Sequence, residues 1–174
     1  MVICIFCFLL FLKLFRPGGF RIDMLDVGQG DGIYIESEEG VSFFIDGGSS
    51  SESEIGKYTI LPFLKSQGVS RIDYWLLTHL DMDHVNGFME VLESGYQVKN
   101  VCMAKATARD EVFYKIEKLC KSSGTELVLL DKNDRISTDS MSFEVLYPGY
   151  PSSYSGANEN SLIMFLDLPE WVIN

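Results

Sequence analysis

Both histidines of the chain fall in one six-residue window, His79-Leu80-Asp81-Met82-Asp83-His84. The stretch before it, residues 72–78 (IDYWLLT), is mostly apolar and reads as a strand buried on both faces. Residues 83–94 read as a helix closed by Gly95. A single histidine is more often structural than functional. Two histidines with two aspartates where a strand ends and a helix begins carry more weight. Side chains at the carboxyl ends of strands in α/β folds face the crevice that takes ligands, and a helix N-terminus stabilises carboxylates placed there. Imidazole and carboxylate donors together suit Zn²⁺, Mn²⁺ or iron. The competing reading is a charged helix start, with Asp81 and Asp83 as caps and the histidines simply exposed.

The flanking sequence supports an α/β chain with strands first. Residues 21–27 (RIDMLDV), 33–36 (IYIE) and 41–45 (VSFFI) read as a strand meander punctuated by Gly28-Gln29-Gly30-Asp31-Gly32 and closed by Asp46-Gly47-Gly48. A short helix is expected over 59–67, with Pro62 in its first turn and Gly68 after it. Strands are expected over 98–103, 125–130, 141–147 and 161–168, the middle two around a charged turn. Between the first two of these, residues 110–121 carry Val112, Phe113, Ile116, Leu119 and Cys120 on one helical face, which is a core stripe. Cys102 and Cys120 read as core thiols, and nothing calls for a disulfide framework. The glycines around Asp31 do not suit a nucleotide loop, because no helix follows them and no Lys-Ser/Thr is present. With a formal net charge of −11, a broad phosphate-binding surface is excluded unless metal ions reverse the local potential.

At the amino end, residues 1–15 (MVICIFCFLLFLKLF) are apolar on all faces apart from Lys13. A full membrane span takes about 20 residues, so the run reads as part of a membrane helix or a minimal anchor, with a buried helix as the alternative. Cys4 and Cys7 within it read as lipid-facing or buried thiols. Residues 16–20 serve as a linker, leaving 21–174 as one domain. Three apolar residues, 171–173, begin a strand at the carboxyl end.

The segment THLDMDHVNG resembles the H-x-H-x-D-H signature of the metallo-β-lactamase superfamily, with Asp81 at the second ligand position. MLDVGQGDGIYIE and FFIDGGSS precede it and NENSLIMFLDL follows it. Together these resemble the C-terminal metallo-β-lactamase-like domain of the ComEC competence family, the membrane channel for DNA uptake. The resemblance covers residues 21 to about 168, and Asn86 departs from the glycine frequent in that family.

The resemblance implies an αββα metallo-β-lactamase sandwich, here its N-terminal half, preceded by a membrane segment. It implies two divalent ions, Zn²⁺ or Mn²⁺. His79 and Asp81 would hold one, Asp83 and His84 the other, with Asp83 the catalytic carboxylate. Asp46 would orient a metal-binding histidine. Asp31 would face the site, or alternatively cap its own turn. The implied function is hydrolysis of a phosphodiester, single- or double-stranded DNA, by a metal-activated hydroxide within a channel protein at the cell membrane. Lys13, Arg16 and Arg21 argue for a cytoplasmic domain, while the resemblance implies an extracytoplasmic one. The family supplies a bridging Asp and a further histidine beyond the position of Asn174, so the chain as given is expected to be incomplete and inactive. A membrane-anchored hydrolase of another ester and an inactive gene fragment remain as alternatives.

Overall fold

The computed structural model describes residues 5, 19–152, 154, 156 and 158–168. The expected membrane segment at 1–15, apart from residue 5, most of the linker and the expected strand start at 171–173 lie outside the described residues. Among the described residues, no helix is long and apolar enough to cross a membrane.

Six strands form one sheet in chain order: β1 (Arg21–Met24), β2 (Gly32–Glu36), β3 (Ser42–Asp46), β4 (Arg71–Leu76), β5 (Gln97–Ala104) and β6 (Glu126–Leu130). The connections explain the pairing. Glycine-bearing turns link β1, β2 and β3, so these run antiparallel. Each later connection contains a helix, long enough for a crossover, and β3 to β6 run parallel. The first crossover is a π-helical turn, Gly56–Ile60, continuing into α1 (Leu61–Ser66). The others are α2 (Met82–Glu93) and α3 (Glu111–Ser123).

Alternation along the strands sorts the core into two layers. Phe44, Trp75, Val101 and Met103 face the helices and pack with Leu64, Phe88 and Ile116. Their neighbours Phe43, Leu76, Cys102 and Ala104 face the other way. There they meet a second, antiparallel sheet of β7 (Arg135–Ser137), β8 (Ser142–Tyr147) and β9 (Ile163–Asp167), which contributes Phe143, Val145 and Leu162 to the same layer. Helices, sheet and sheet thus stack as an αβ/β sandwich. The second half of β4, residues 74–76, is covered on both sides, which is why the sequence there runs apolar through to Leu77. Cys102 and Cys120 are buried free thiols.

Two expectations shift. The helix expected from residue 59 begins earlier, because residues 56–60 form a wider π turn whose first N–H donates to Glu90 Oε2 at 2.8 Å. The charged turn before β8 contains β7, three residues with Ile136 as its only apolar side chain, too short to show any periodicity.

Candidate metal centre

Asp46 organises the strand ends. It is the last residue of β3, with φ at 56°, and only 2% of it is exposed. That backbone turns its side chain toward the end of β4 and the start of α2. Its Oδ1 accepts the Thr78 backbone N–H at 2.8 Å. Its Oδ2 accepts from the Thr78 hydroxyl at 2.7 Å and from His84 Nδ1 at 2.9 Å. The Trp75 indole N–H donates to its carbonyl. One buried carboxylate therefore ties together β3, the segment after β4 and the first turn of α2.

The glycine turns let the backbone close in on this point. A side chain at Gly30 would collide with the carbonyl oxygens of Gly48 and Asp83, and one at Gly48 with the Asp83 backbone. Asn86 fastens the same contact. Its Oδ1 accepts from the Ser49 N–H at 3.0 Å and its Nδ2 donates to the Ser49 carbonyl at 2.7 Å, so α2 grips the turn after β3 at two points.

Within this frame His79 and His84 lie with ring centroids 3.9 Å apart. Asp81 Oδ2 is 3.6 Å from His79 Nε2, and Asp31 Oδ2 is 3.9 Å from His84 Nδ1. Asp83 occupies the first turn of α2. Asp81 is the N-cap residue of α2, but its side chain makes no capping hydrogen bond, which removes the capping explanation for that carboxylate. Asp31 makes no turn-capping bond either; in that turn Asp26 accepts from the Gly28 N–H at 3.3 Å. Among the described residues, no Lys or Arg forms an ion pair with Asp31, Asp81 or Asp83. The two histidines are shifted in opposite directions. Burial, then the neighbouring His84, pushes His79 below the ordinary histidine range, while the hydrogen bond to Asp46 raises His84.

Asp31, Asp46 and His84 each offer a ligand atom within 4.8 Å of the others, a single candidate metal-binding triad among the described residues. His79, Asp81 and Asp83 border it. The triad differs from the four ligands expected of the window, for two physical reasons. The GQGDG turn brings Asp31 in from outside the window. Asp46 enters through its hydrogen bond to His84, and its carboxylate already accepts three hydrogen bonds. The donor set fits a divalent cation: imidazole nitrogen, carboxylate oxygen and an excess of negative charge with no Lys or Arg paired to it among the described residues. Beside His79 lies a small recess of about 20 Å³ lined by Leu80, Thr107, Asp110 and Asn160, about the room one water needs.

Three contributors went unread as site residues in the sequence. Thr78 immediately precedes the window. Asn86 stood out only as a departure from glycine. Asn160 lies in the NENSL segment, which Leu162 pins to the strand end by donating its N–H to the Thr78 carbonyl at 2.7 Å.

Residues 25–108 match the Metallo-beta-lactamase superfamily. A crystal structure of a metallo-beta-lactamase from Staphylococcus aureus is similar over 87% of this chain and 40% of that one, with a TM-score of 0.53 at 14% identity. The chain has the metallo-β-lactamase fold. Likeness at that identity speaks for the fold alone. Two curated proteins are similar in sequence. "ComE operon protein 3" of Bacillus subtilis is 26% identical over 95% of this chain and 23% of its own length. "Recombination protein 2" of Haemophilus influenzae is 33% identical over 53% of this chain and 12% of its own. The chain therefore spans a quarter or less of either relative. On a metallo-β-lactamase fold, a donor set of this kind is compatible with a metal-dependent hydrolase.

Proposed function

We propose that this chain is a metal-dependent phosphodiesterase domain acting on DNA as part of a DNA-uptake membrane protein. The observation that carries the hydrolase reading is the convergence of two imidazoles and three carboxylates without a Lys or Arg partner, among the described residues, at the ends of β3 and β4. The DNA part rests on the competence-family resemblance and on the similarity to ComE operon protein 3 and Recombination protein 2.

His79, Asp81, Asp83 and His84 would hold two divalent ions, Zn²⁺ or Mn²⁺, with Asp31 beside His84 at the same rim. Bound there, a divalent cation supplies Lewis-acid polarisation of a phosphoryl oxygen and makes water acidic enough to react near neutral pH. The chain's own residues do the rest. Asp46 accepts from His84 Nδ1 and so keeps Nε2 of that ring free to bind. Gly30 and Gly48 keep the turns close enough to fix the rim. The acidic rim by itself repels a phosphodiester, so substrate binding and cation binding are coupled. By the family resemblance, Asp83, in the first turn of α2, would be the catalytic carboxylate. The reading includes a location at the cell membrane with the domain on its outer side and the remainder of a channel protein as partner. Protease accessibility in intact cells tests that part.

The decisive assay offers labelled single- and double-stranded DNA, a lactone and a carboxylic ester to the chain loaded with Mn²⁺ or Zn²⁺. Cleavage of DNA that is lost in His79→Ala supports the proposal. Turnover of the lactone or carboxylic ester alone would favour a hydrolase of another ester. Because the chain as given is expected to be inactive by itself, the same substrates are offered to the longer channel protein that would contain it. Metal binding there with turnover of none of them would overturn the enzymatic reading.

A further inference from the structure

The hydrogen bonds around Asp46 do not stop at His84. The Thr78 hydroxyl, which donates to Asp46 Oδ2 at 2.7 Å, also lies 3.1 Å from His79 Nδ1. A hydroxyl has one proton and two lone pairs, and a carboxylate can only accept. With the Thr78 proton directed at Asp46, the contact to His79 requires the ring to donate, so Nδ1 of His79 carries hydrogen. His84 donates to the same carboxylate oxygen, also from Nδ1. The backbone N–H of Thr78 on Asp46 Oδ1 holds the threonine in place. Among the described residues, neither ring's Nε2 makes a hydrogen bond, and His79 Nε2 looks toward Asp81 at 3.6 Å.

We infer that Thr78 is a positioning residue. Its hydroxyl relays the hold of Asp46 to His79, so that one buried carboxylate sets the same Nδ1–H tautomer in both histidines and leaves both Nε2 lone pairs for a ligand. The relay rests on the metal-site reading above, but it makes a claim about the metal-free chain. Asp46 alone would orient only His84. With Thr78 between them, both rings are preset before any cation arrives, and neither has to exchange a proton between its nitrogens on binding.

The test is ¹⁵N NMR of the two imidazoles in the full chain without metal, at alkaline pH where both rings are neutral. The chain has two histidines, so the assignment needs one variant, His79→Gln. The wild type should show both rings as Nδ1–H. Thr78→Val, which keeps the shape and removes the hydroxyl, should turn His79 into a mixture of tautomers and leave His84 unchanged. Thr78→Ser should restore the single tautomer. Zinc affinity should fall about 10–100-fold in Thr78→Val and recover in Thr78→Ser. A wild-type His79 carrying its proton on Nε2 would overturn the relay, as would a His79 signal indifferent to Thr78→Val or not restored by Thr78→Ser. The wild-type spectrum decides even if the valine variant fails to fold. Preset tautomers in a chain that binds no metal would refute the function proposed above while leaving the relay standing.

Discussion

The two ends of the parallel strands are both polar, and they handle charge in opposite ways. At the end where β3 and β4 begin, Asp23, Glu36 and Asp73 each have a partner. Asp73 takes Arg71 at 2.7 Å and the Ser42 N–H and hydroxyl at 3.1 and 3.0 Å. Glu36 accepts from the Tyr34 hydroxyl at 2.6 Å, and Asp23 lies 2.6 Å from Arg21. At the other end, Asp31, Asp81 and Asp83 gather around two histidines with no Lys or Arg paired to them among the described residues. The contrast separates a cleft from a site. The paired end has an opening of about 430 Å³, against about 20 Å³ beside His79, yet its charges are already balanced within the protein. The unpaired end holds back free energy that an external cation would release.

Removing the cation, or the groups that hold it, should break the contrast most strongly. A divalent ion at 100 times its Kd raises the stability of a one-site protein by about 2.7 kcal/mol. Thermal unfolding with and without Mn²⁺ or Zn²⁺ should show a shift of that order. His79→Ala and Asp83→Ala should abolish most of it and lower the metal bound per chain in elemental analysis. Unchanged metal content in both variants would mean that the unpaired end is simply an acidic surface.

Asp46→Asn comes next. It preserves volume but places an amide N–H₂ against groups that already donate. Metal affinity should drop about 10–100-fold, equivalent to about 1.4–2.7 kcal/mol, as read by titration against a chelator. A change under threefold would reduce Asp46 to a turn residue. Asn86→Ala should cost about 1–2 kcal/mol of stability by unpairing the Ser49 N–H and carbonyl, with weaker metal binding as the turn after β3 loosens. Chemical denaturation reads the first effect, and stability within about 0.3 kcal/mol of wild type would show that the turn does not need the grip.

The unpaired end was the more legible of the two in the sequence. Its chemistry is concentrated in one window, and the strand before the window announces itself by a run of apolar residues. Asp31 and Asp46 came into view through the glycine turns that carry them. Thr78 and Asn86 did not, because their roles depend on contacts across 32 and 37 positions of chain. No local pattern encodes a hydroxyl shared between a distant carboxylate and the next residue's ring. The two-layer core was legible in β3 and β4, where adjacent aromatic and aliphatic residues serve opposite faces, as with Phe43 and Phe44. β7 was not, since one inward side chain makes no pattern. The paired end left little trace either: Arg71 and Asp73 alternate as in any half-exposed strand, and Ser42 lies 31 positions away from its partner.

The smallest effect gives the sharpest test of the comparison, because it predicts a difference in sign. Asp73→Asn at the paired end removes an acceptor for Ser42 and the charge facing Arg71. That guanidinium is half exposed, so solvent screens the ion pair and most of the loss comes from the hydrogen bonds, about 1 kcal/mol in all. Asp31→Asn at the unpaired end removes a charge that has no cationic side chain beside it. Its side chain is 58% exposed, it lies on a turn rather than in a helix, and its backbone carbonyl still accepts from the Gly47 N–H. Relief of repulsion among neighbouring carboxylates should therefore leave stability in chelator unchanged or raised by a few tenths of a kcal/mol, on the scale of like-charge pairs, about 0.2–0.5 kcal/mol. In excess metal the order reverses: Asp31→Asn should lose part of the metal-induced rise in unfolding temperature, while Asp73→Asn keeps all of it. Four unfolding curves measured at alkaline pH, where His84 no longer carries a charge for Asp31 to stabilise, are sufficient. If Asp31→Asn costs as much in chelator as Asp73→Asn, the carboxylates at the strand ends have partners within the protein, and no cation is needed to explain their being together.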